Sequence, residues 1–230
     1  MSQTPVSNSP NTASSADILS SFDSLPLRAE ILGAAKALGY SVMTPVQSQS
    51  LPTRIEGRDV IAQAKTGSGK TAAFAVSLLN RLDETQYHTQ ALIVCPTREL
   101  AEQVAEEIRR LARGIPNVKT RTLCGGRPMG PQLASLKRAP HIVVGTPGRL
   151  LKHLEKQTLK INKVETLVLD DADRMLGMGF ILDIHDIDDY LPTTRQTLLF
   201  SATYPDEIAQ LSANFQTDPV DIRIESHAPT

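Results

Sequence analysis

Apolar residues follow two patterns along the chain: short continuous runs, and longer stretches with helical spacing. Seven β-prone runs lie at residues 60–63, 91–95, 119–123, 141–145, 166–170, 197–200 and 220–224. Apolar residues three and four positions apart predict helices at 27–38, 46–55, 69–82, 99–112 and 206–215. Apolar strands that alternate with helices predict an α/β domain whose mostly parallel sheet is flanked by helices on both faces.

Ligands bind such a sheet at the carboxyl ends of its strands, so the residues that follow each strand are the candidates for function. The second predicted helix has Pro45 at its start, where proline is favourable, and Pro52 inside it, which predicts an irregularity. No internal repeat is visible in the sequence.

The segment AKTGSGKT, residues 64–71, follows the first strand and leads into a helix. Gly67 and Gly69 can adopt positive φ and let backbone N–H groups close around an anion, which the helix N-terminus also attracts. Lys70 would reach the outer phosphates of a nucleotide, and the Thr71 hydroxyl would bind Mg²⁺. The general pattern has Gly at its first position, where this chain has Ala64; the alternative is a Gly/Ser loop that binds nothing. The predicted nucleotide loop comprises Ala64, Lys65, Thr66, Gly67, Ser68, Gly69, Lys70 and Thr71.

A second candidate for nucleotide chemistry is the acidic run DDAD, residues 170–173, at the end of a buried-type strand. Asp170 is expected to hold Mg²⁺ beside Thr71, partly through water. Asp171 would orient or deprotonate the attacking water. The alternative is a solvated turn or a helix N-terminus that favours acidic residues.

Composition and charge narrow the class of protein. The chain of 230 residues suits one large α/β domain, and no apolar stretch is long enough to span a membrane. Its start, MSQTPVSNSPNTASSAD, lacks the basic and apolar regions of a signal peptide and is typical of a disordered tail. Cys95 and Cys124 are expected to be small buried residues in a reducing cytoplasm, neither a disulfide nor a metal site.

The net charge is −1, but the charges are unevenly distributed. Residues 98–152 contain eleven Lys and Arg against four Asp and Glu, whereas residues 165–225 contain three Arg against thirteen acids. This asymmetry indicates one face able to meet phosphates, although solvated surface charge is the common explanation for either half.

The motifs together resemble the first RecA-like domain of DEAD-box RNA helicases, over about residues 22–224. They occur in the order of that family: GYSVMTPVQ (39–47), the phosphate loop, PTREL (96–100), GG (125–126), TPGR (146–149), DDAD (170–173) and SAT (201–203). Three longer stretches, TQALIVCPTRELAEQV, TLCGGRP and APHIVVGTPGRLLKHL, resemble one bacterial member more narrowly.

The resemblance implies ATP or ADP and Mg²⁺ as ligands and roles for matching residues. Gln47 and Thr44 would read the adenine edge, which suits an amide that both donates and accepts, and Phe22 would stack on the ring. Ser201 and Thr203 would couple the nucleotide state to RNA, beside Lys70, Asp170 and Asp171 as catalytic residues. Gln47 could instead be a surface residue and Phe22 a core residue, and Ser201 and Thr203 could be capping residues. RNA backbone contacts are implied for Pro96, Thr97, Arg98, Gly125, Gly126, Thr146, Pro147, Gly148 and Arg149, of which Thr97 and Thr146 could be helix caps alone.

Two departures from the family pattern stand out. The family usually has Glu at the position of Asp171, and a carboxylate misplaced by ~1 Å can cost ~10²-fold in rate. The second RecA-like domain has no counterpart in these 230 residues, so the chain is expected to be nearly inactive alone and to bind RNA weakly.

The resemblance also implies an organisation and a setting. The expected parts are a disordered polar tail (1–19), an adenine-recognition region (20–48), the helicase ATP-binding domain (49–225) and the start of a linker (226–230). The intact protein would clamp and bend RNA on ATP binding and release it on hydrolysis, in ribosome assembly. The alternatives are a P-loop transport ATPase or small-molecule kinase, and a non-enzymatic RNA-binding module.

Overall fold

The computed structural model describes residues 21–65 and 69–224, and its centre is a seven-stranded sheet. The strand order is β3-β4-β2-β5-β6-β1-β7, and every neighbouring pair is parallel. The predicted α/β class with a parallel sheet is therefore confirmed. The strands are β1 (Val60–Gln63), β2 (Ala91–Val94), β3 (Thr120–Leu123), β4 (Ile142–Gly145), β5 (Thr166–Leu169), β6 (Gln196–Ser201) and β7 (Val220–Arg223).

Helices cover both faces of the sheet, as predicted. They are α1 (Ala29–Ala37), α2 (Pro45–Ile55), α3 (Lys70–Arg81), α4 (Arg98–Leu111), α5 (Met129–Ser135), α6 (Pro147–Glu155), α7 (Ala172–Gly177), α8 (Ile181–Asp188) and α9 (Asp206–Phe215). Successive side chains of a strand point to opposite faces, so β1 sends Val60 and Ala62 into the core under α1 to α4. Ile61 points the other way, into the core under α6 to α9.

All seven predicted strands and all five predicted helices are present, with ends that differ by up to two residues. Helices α5 to α8 are short and had no specific prediction. Helix α2 continues through Pro52, so the predicted irregularity does not interrupt it. None of the helices within 21–65 and 69–224 is long and apolar enough to cross a membrane. The predicted tail (1–19) and linker start (226–230) lie outside the described residues.

One buried side chain conflicts with the apolar core around it. Arg54, on the inner face of α2, is 0% exposed, and its guanidinium carbon lies 4.5 Å from the ring centre of Phe200. None of its side-chain nitrogens has a hydrogen-bond partner among the residues that the structure describes. Burial lowers the pKa of Arg54 to about 9. The aromatic ring offsets part of the cost of burying this charge.

Candidate functional site

The phosphate loop joins β1 to α3, and its described end has the predicted conformation. Gly69 is the N-cap of α3 with φ 85°, which confirms the predicted positive φ. A Cβ at Gly69 would lie 2.6 Å from Nε2 of Gln47, so the close approach requires glycine as well. Ala64 is buried, and its N–H donates to the carbonyl of Ser201 at 3.1 Å, which extends the pairing of β1 with β6. The predictions for Thr66, Gly67 and Ser68 lie outside the described residues, and Lys65 is exposed.

Lys70 and Asp170 form a buried ion pair behind this loop. The Lys70 Nζ lies 3.2 Å from an Asp170 carboxylate oxygen, with 8% and 0% of the two side chains exposed. Burial raises the pKa of Asp170 above its usual value, and the Lys70 ammonium opposes that rise. Lys70 is thus held at the first turn of α3 by the Asp170 carboxylate. A nucleotide phosphate would compete with Asp170 for this ammonium.

The surroundings of Asp170 fit a magnesium ion. Within the described ranges, neither oxygen of Asp170 accepts a hydrogen bond of good geometry, and both are buried. Thr71 follows Lys70 and lines the same cleft as Asp171. Mg²⁺ keeps several of its waters and is bound by few protein carboxylates. Asp170 and Thr71 would hold the ion with its waters and the phosphates of a nucleotide.

Asp171 is the residue whose backbone is least ordinary in the site. It has φ 55° and ψ 48°, in the left-handed region, and is the N-cap of α7. Asp and Asn adopt this conformation more readily than most residues with a side chain, and strain of this kind is common at functional sites. The alternative interpretation of the acidic run, a helix N-terminus, is therefore correct as local structure. It does not exclude the predicted role, because Asp171 also faces the cleft.

Asp173 links the acidic run to the segment just after β6, a contact that no sequence pattern predicted. One Asp173 oxygen accepts hydrogen bonds from the Thr203 hydroxyl at 2.8 Å and from the Thr203 N–H at 3.1 Å. Burial opposes ionisation of Asp173, yet these hydrogen bonds and that from the Arg174 N–H lower its pKa below the usual value. Ser201 is buried at the end of β6. The predicted coupling residues thus touch the acidic run directly through Thr203.

The predicted adenine readers, Thr44 and Gln47, lie at the start of α2, next to the phosphate loop. The Gln47 side-chain oxygen accepts from the Thr44 N–H at 2.9 Å, and its Nε2 donates to the carbonyl of Gly69 at 3.0 Å. Gln47 is 4% exposed, so the alternative of a surface glutamine is wrong. Both residues line a cleft of about 690 Å³ together with Lys70 and Thr71. An amide has a second donor and a second lone pair, which remain for a base edge.

The structure places Phe22 in the core rather than on this cleft. Phe22 is 3% exposed, and its ring centre lies 6.4 Å from that of Tyr40 in a stacked arrangement. Of the two rings, Tyr40 lines the cleft. Burial, followed by a hydrogen bond to Glu107, raises the pKa of Tyr40 to about 12. Tyr40 lies inside the motif at residues 39–47, but nothing in the sequence had assigned it a role.

The nine residues implied for RNA follow β2, β3 and β4, which are neighbours in the sheet. They therefore lie together at the carboxyl edge, beside the nucleotide cleft that follows β1 and β5. Gly125 and Gly126 are exposed and Gly126 has φ 76°, whereas Pro96 and Pro147 are buried. Because both prolines are buried, contacts with RNA would have to come from the loop residues around them.

Three of these residues have defined local roles. Thr97 caps α4 by accepting from the Leu100 N–H at 3.2 Å, so the capping alternative is correct for Thr97. Thr146 does not cap α6; its hydroxyl oxygen accepts from the Gly125 N–H at 3.0 Å and ties two motifs together. A Cβ at Gly126 would lie 3.4 Å from a terminal nitrogen of Arg98, which brings a third motif to the same place.

Gln132 on α5 orients the predicted RNA residue Arg149, and no sequence pattern pointed to it. Its side-chain oxygen accepts from Arg149 at 3.1 Å and pairs with Nε2 of His153 at 2.8 Å. Burial, with the charges of Arg149 and Lys156, lowers the pKa of His153, so the neutral ring donates to this oxygen. Arg149 also donates to the carbonyl of Arg127 at 2.8 Å. The guanidinium is thereby fixed at the carboxyl edge.

Fold and site together define a P-loop nucleotide-binding domain of RecA-like architecture. The family model for DEAD/DEAH box helicases matches residues 44–211, and the chain belongs to that family. The chain is similar to a DEAD box protein from the hyperthermophile Methanococcus jannaschii, with a TM-score of 0.85 and 41% identity over 90% of this chain and 56% of that one.

Two curated relatives refine the comparison. The ATP-dependent RNA helicase DbpA of Escherichia coli (strain K12) is 58% identical over 189 residues, which are 82% of this chain and 41% of DbpA. This confirms the narrower resemblance to one bacterial member, which is DbpA. The ATP-dependent RNA helicase CshA of Listeria monocytogenes is 45% identical over 92% of this chain and 41% of its own length. The chain thus spans about two fifths of these relatives.

Proposed function

We propose that this chain is the ATP-binding first domain of an RNA helicase that couples ATP binding and hydrolysis to clamping and remodelling of RNA. One observation carries the proposal. A single cleft brings together Gln47, Lys70, Thr71 and Asp171, which suit the base, the phosphates, a magnesium ion and the attacking water of one nucleotide. The names of the similar curated proteins support the same activity.

In this proposal the chain's own residues bind and orient the nucleotide. Gln47 and Thr44 read the adenine edge with their remaining donor and acceptor groups. The first turn of α3 and Lys70 hold the phosphates. Asp170 and Thr71 would hold a magnesium ion together with its waters, and such an ion would supply positive charge to the phosphates. Asp171 orients the attacking water and accepts its proton.

The RNA half of the proposal rests on the loops after β2, β3 and β4. Arg98 and Arg149 provide charge, and the exposed turn at Gly125 and Gly126 provides backbone N–H groups, so contacts go to phosphate and sugar rather than to bases. Thr203 couples the two halves, because its partner Asp173 belongs to the same acidic run as Asp171. Few charges are involved, and binding by this chain is expected to be weak and sensitive to salt.

Full activity requires a second RecA-like domain, which we place after the linker that starts at residues 226–230. The share of about two fifths of the curated relatives supports this division. The adenine-recognition region (20–48) and the ATP-binding domain (49–225) then form half of the clamp. A cytoplasmic location and a role in ribosome assembly complete the proposal, and both are tested by fractionation of the full-length protein with ribosomal precursors.

The test combines nucleotide and RNA assays. Calorimetric titration of residues 1–230 should show ADP binding in preference to GDP. The full-length protein should in addition show RNA-stimulated ATPase activity, which a P-loop transport ATPase or small-molecule kinase should lack. Equal affinity for ADP and GDP would remove the adenine-reading role. A strand-displacement assay with a short RNA duplex and excess ATP should show no unwinding by this chain alone. The arginines that face the γ-phosphate are expected to belong to the second domain, and a trans-acting arginine can be worth ~10³–10⁵ in rate. Robust unwinding by residues 1–230 would contradict the half-clamp.

A further inference from the structure

Basic residues gather at the edge of the sheet opposite to the nucleotide cleft. The segments 82–90, 112–119, 136–141 and 156–165 lead into β2, β3, β4 and β5, which are adjacent in the order β3-β4-β2-β5. Since the strands are parallel, their amino ends form one continuous edge, ~14 Å wide at a strand spacing of ~4.8 Å. Four-residue strands separate it from the carboxyl edge by about 13 Å.

The charge at this edge is strongly positive and largely uncompensated. The four segments contain seven Lys and Arg against three acids. Two of the acids are engaged locally: Glu84 pairs with Arg28 at 2.9 Å, and Asp83 accepts from Thr85. Within 21–65 and 69–224, five of the basic residues form no salt bridge and surround Tyr87. We name this group the amino-edge patch: Tyr87, Lys119, Lys137, Arg138, Lys160 and Lys163.

The shape of the amino-edge patch suits an extended chain. Two open clefts, of about 460 and 490 Å³, share Tyr87 and Ala139 and so run into each other. Lys137, Lys160 and Lys163 line the first cleft, and Lys119 and Arg138 line the second. Tyr87 lies between them and is 69% exposed, so its ring is accessible to a ligand.

Buried His141 fixes the loops that carry the patch. Its Nδ1 accepts from the Lys119 N–H at 3.0 Å, and its Nε2 therefore carries the proton and donates to the carbonyl of Glu84 at 3.0 Å. The rings of His141 and Tyr87 lie 6.0 Å apart. The segments before β2, β3 and β4 are thus joined through one side chain, which fixes the backbone from which part of the patch projects.

We propose that the amino-edge patch binds the sugar-phosphate backbone of single-stranded RNA, with a base stacked on Tyr87. It is a second RNA contact, independent of nucleotide and separate from the loops at the carboxyl edge. Positive grooves that contain aromatic rings bind single strands with little regard to sequence. An acidic protein surface would satisfy the lysines but would leave the exposed ring of Tyr87 without a stacking partner. The inference rests on the proposed function in taking RNA as the ligand.

The charges are tested by fluorescence anisotropy with a labelled U-rich RNA of about 12 nucleotides, the upper range of one such groove. Titrations of residues 1–230 are run without nucleotide at several low salt concentrations. Lys137→Glu/Lys163→Glu should weaken binding at least ten-fold and reduce the salt slope by about 1.4, since each phosphate contact to a single strand contributes ~0.7. The matched control Lys36→Glu/Arg58→Glu makes the same net charge change elsewhere and should keep the wild-type slope.

The ring is tested separately. Tyr87→Ala should weaken binding about 5- to 100-fold through loss of stacking, while Tyr87→Phe keeps the ring and should restore wild-type affinity. RNA that contains photoreactive thiouridine should cross-link to the peptide that includes Tyr87. Wild-type affinity in Tyr87→Ala, or cross-links that all map to the carboxyl edge, would overturn the stacking role.

A third variant separates failure of this inference from failure of the proposed function. Arg98→Ala/Arg149→Ala removes the charges of the carboxyl edge and leaves the amino-edge patch intact. If RNA binding is lost only in this variant, the patch is not an RNA site and the proposed function stands. If binding is lost only in Lys137→Glu/Lys163→Glu, the patch is the RNA site and the motif residues are not. If RNA binding were also lost in the control Lys36→Glu/Arg58→Glu, net charge alone would explain the effect and the inference would be overturned.

Discussion

The side-chain amide of Gln47 donates a hydrogen bond to the main-chain oxygen of Gly69, 3.0 Å away. This contact ties the start of α2 to the first residue before α3, so the proposed adenine reader supports the phosphate loop even without a nucleotide. The side-chain oxygen of Gln47 accepts a hydrogen bond from the Thr44 N–H. In the proposed function, base recognition and support of the phosphate loop therefore depend on one side chain.

Gln47→Glu is expected to weaken ADP binding about 5- to 100-fold and to abolish the preference for ADP over GDP. A carboxylate can still accept from the Thr44 N–H, but it has no donor for the Gly69 carbonyl, and an unsatisfied buried group costs about 1–3 kcal/mol. Calorimetry with both nucleotides measures the effect. Gln49→Glu, at an exposed position of the same helix, is the control and should bind like the wild type. An unchanged ratio of ADP to GDP affinity in Gln47→Glu would contradict the assignment.

Lys70→Ala should abolish detectable ADP binding, because the phosphates lose their main cation. The structure adds a second consequence: Asp170 would lose its ion-pair partner and remain buried, which destabilises the fold by about 3–5 kcal/mol when one partner of a buried pair is removed. Titration and thermal unfolding measure the two effects on one sample. Lys36→Ala, at an exposed position of α1 away from the loop, is the control and should bind ADP like the wild type. If Lys70→Ala kept its affinity, the nucleotide site would have to lie elsewhere.

Asp171→Glu should accelerate ATP hydrolysis roughly 10- to 100-fold in the two-domain protein, because the longer side chain brings the carboxylate nearer to the water. The left-handed backbone at this position tolerates Asp better than Glu, so a small loss of stability should accompany the gain. Single-turnover kinetics measure the chemical step directly.

Asp171→Asn is the control, since it keeps a residue suited to φ 55° but removes the base, and it should hydrolyse more slowly than the wild type. An unchanged rate in Asp171→Glu, with chemistry rate-limiting, would mean that Asp already reaches the water.

Arg54→Met should stabilise the domain by about 1–4 kcal/mol, because an apolar side chain of similar length replaces a buried charge that has no hydrogen-bond partner among the described residues. The melting temperature of a domain of this size should then rise by about 2–4 °C per kcal/mol. The folded-state pKa of about 9 lies below that of free arginine, so the penalty is fully present below pH 9 and fades as the pH rises above it.

Chemical unfolding at neutral pH measures the gain for Arg54→Met. The matched control is Arg58→Met, because Arg58 follows the end of α2 and its side chain is half exposed. This substitution should change the free energy of unfolding little. A destabilised Arg54→Met would show that the ring of Phe200 holds the guanidinium favourably.

Local sequence determined the elements and the chemistry within each loop. Apolar runs such as 91–95 become strands because both sides of a parallel strand are buried, and a left-handed Gly69 before Lys70 is a property of a few adjacent residues. The strand positions and the phosphate loop could therefore be predicted. The boundaries moved by one or two residues because capping depends on side chains that turn back on the helix, as Thr97 does.

Only the tertiary structure decided which distant residues meet. The hydrogen bond of Asp173 to Thr203 spans thirty positions, and no periodicity within either segment encodes it. Helical spacing placed Arg54 on the inner face of α2. That its guanidinium contacts the ring of Phe200 was decided by how β6 packs against this helix. The amino-edge patch exists because β3, β4, β2 and β5 are neighbours, an order set by how helices cover both faces and not by the order along the chain.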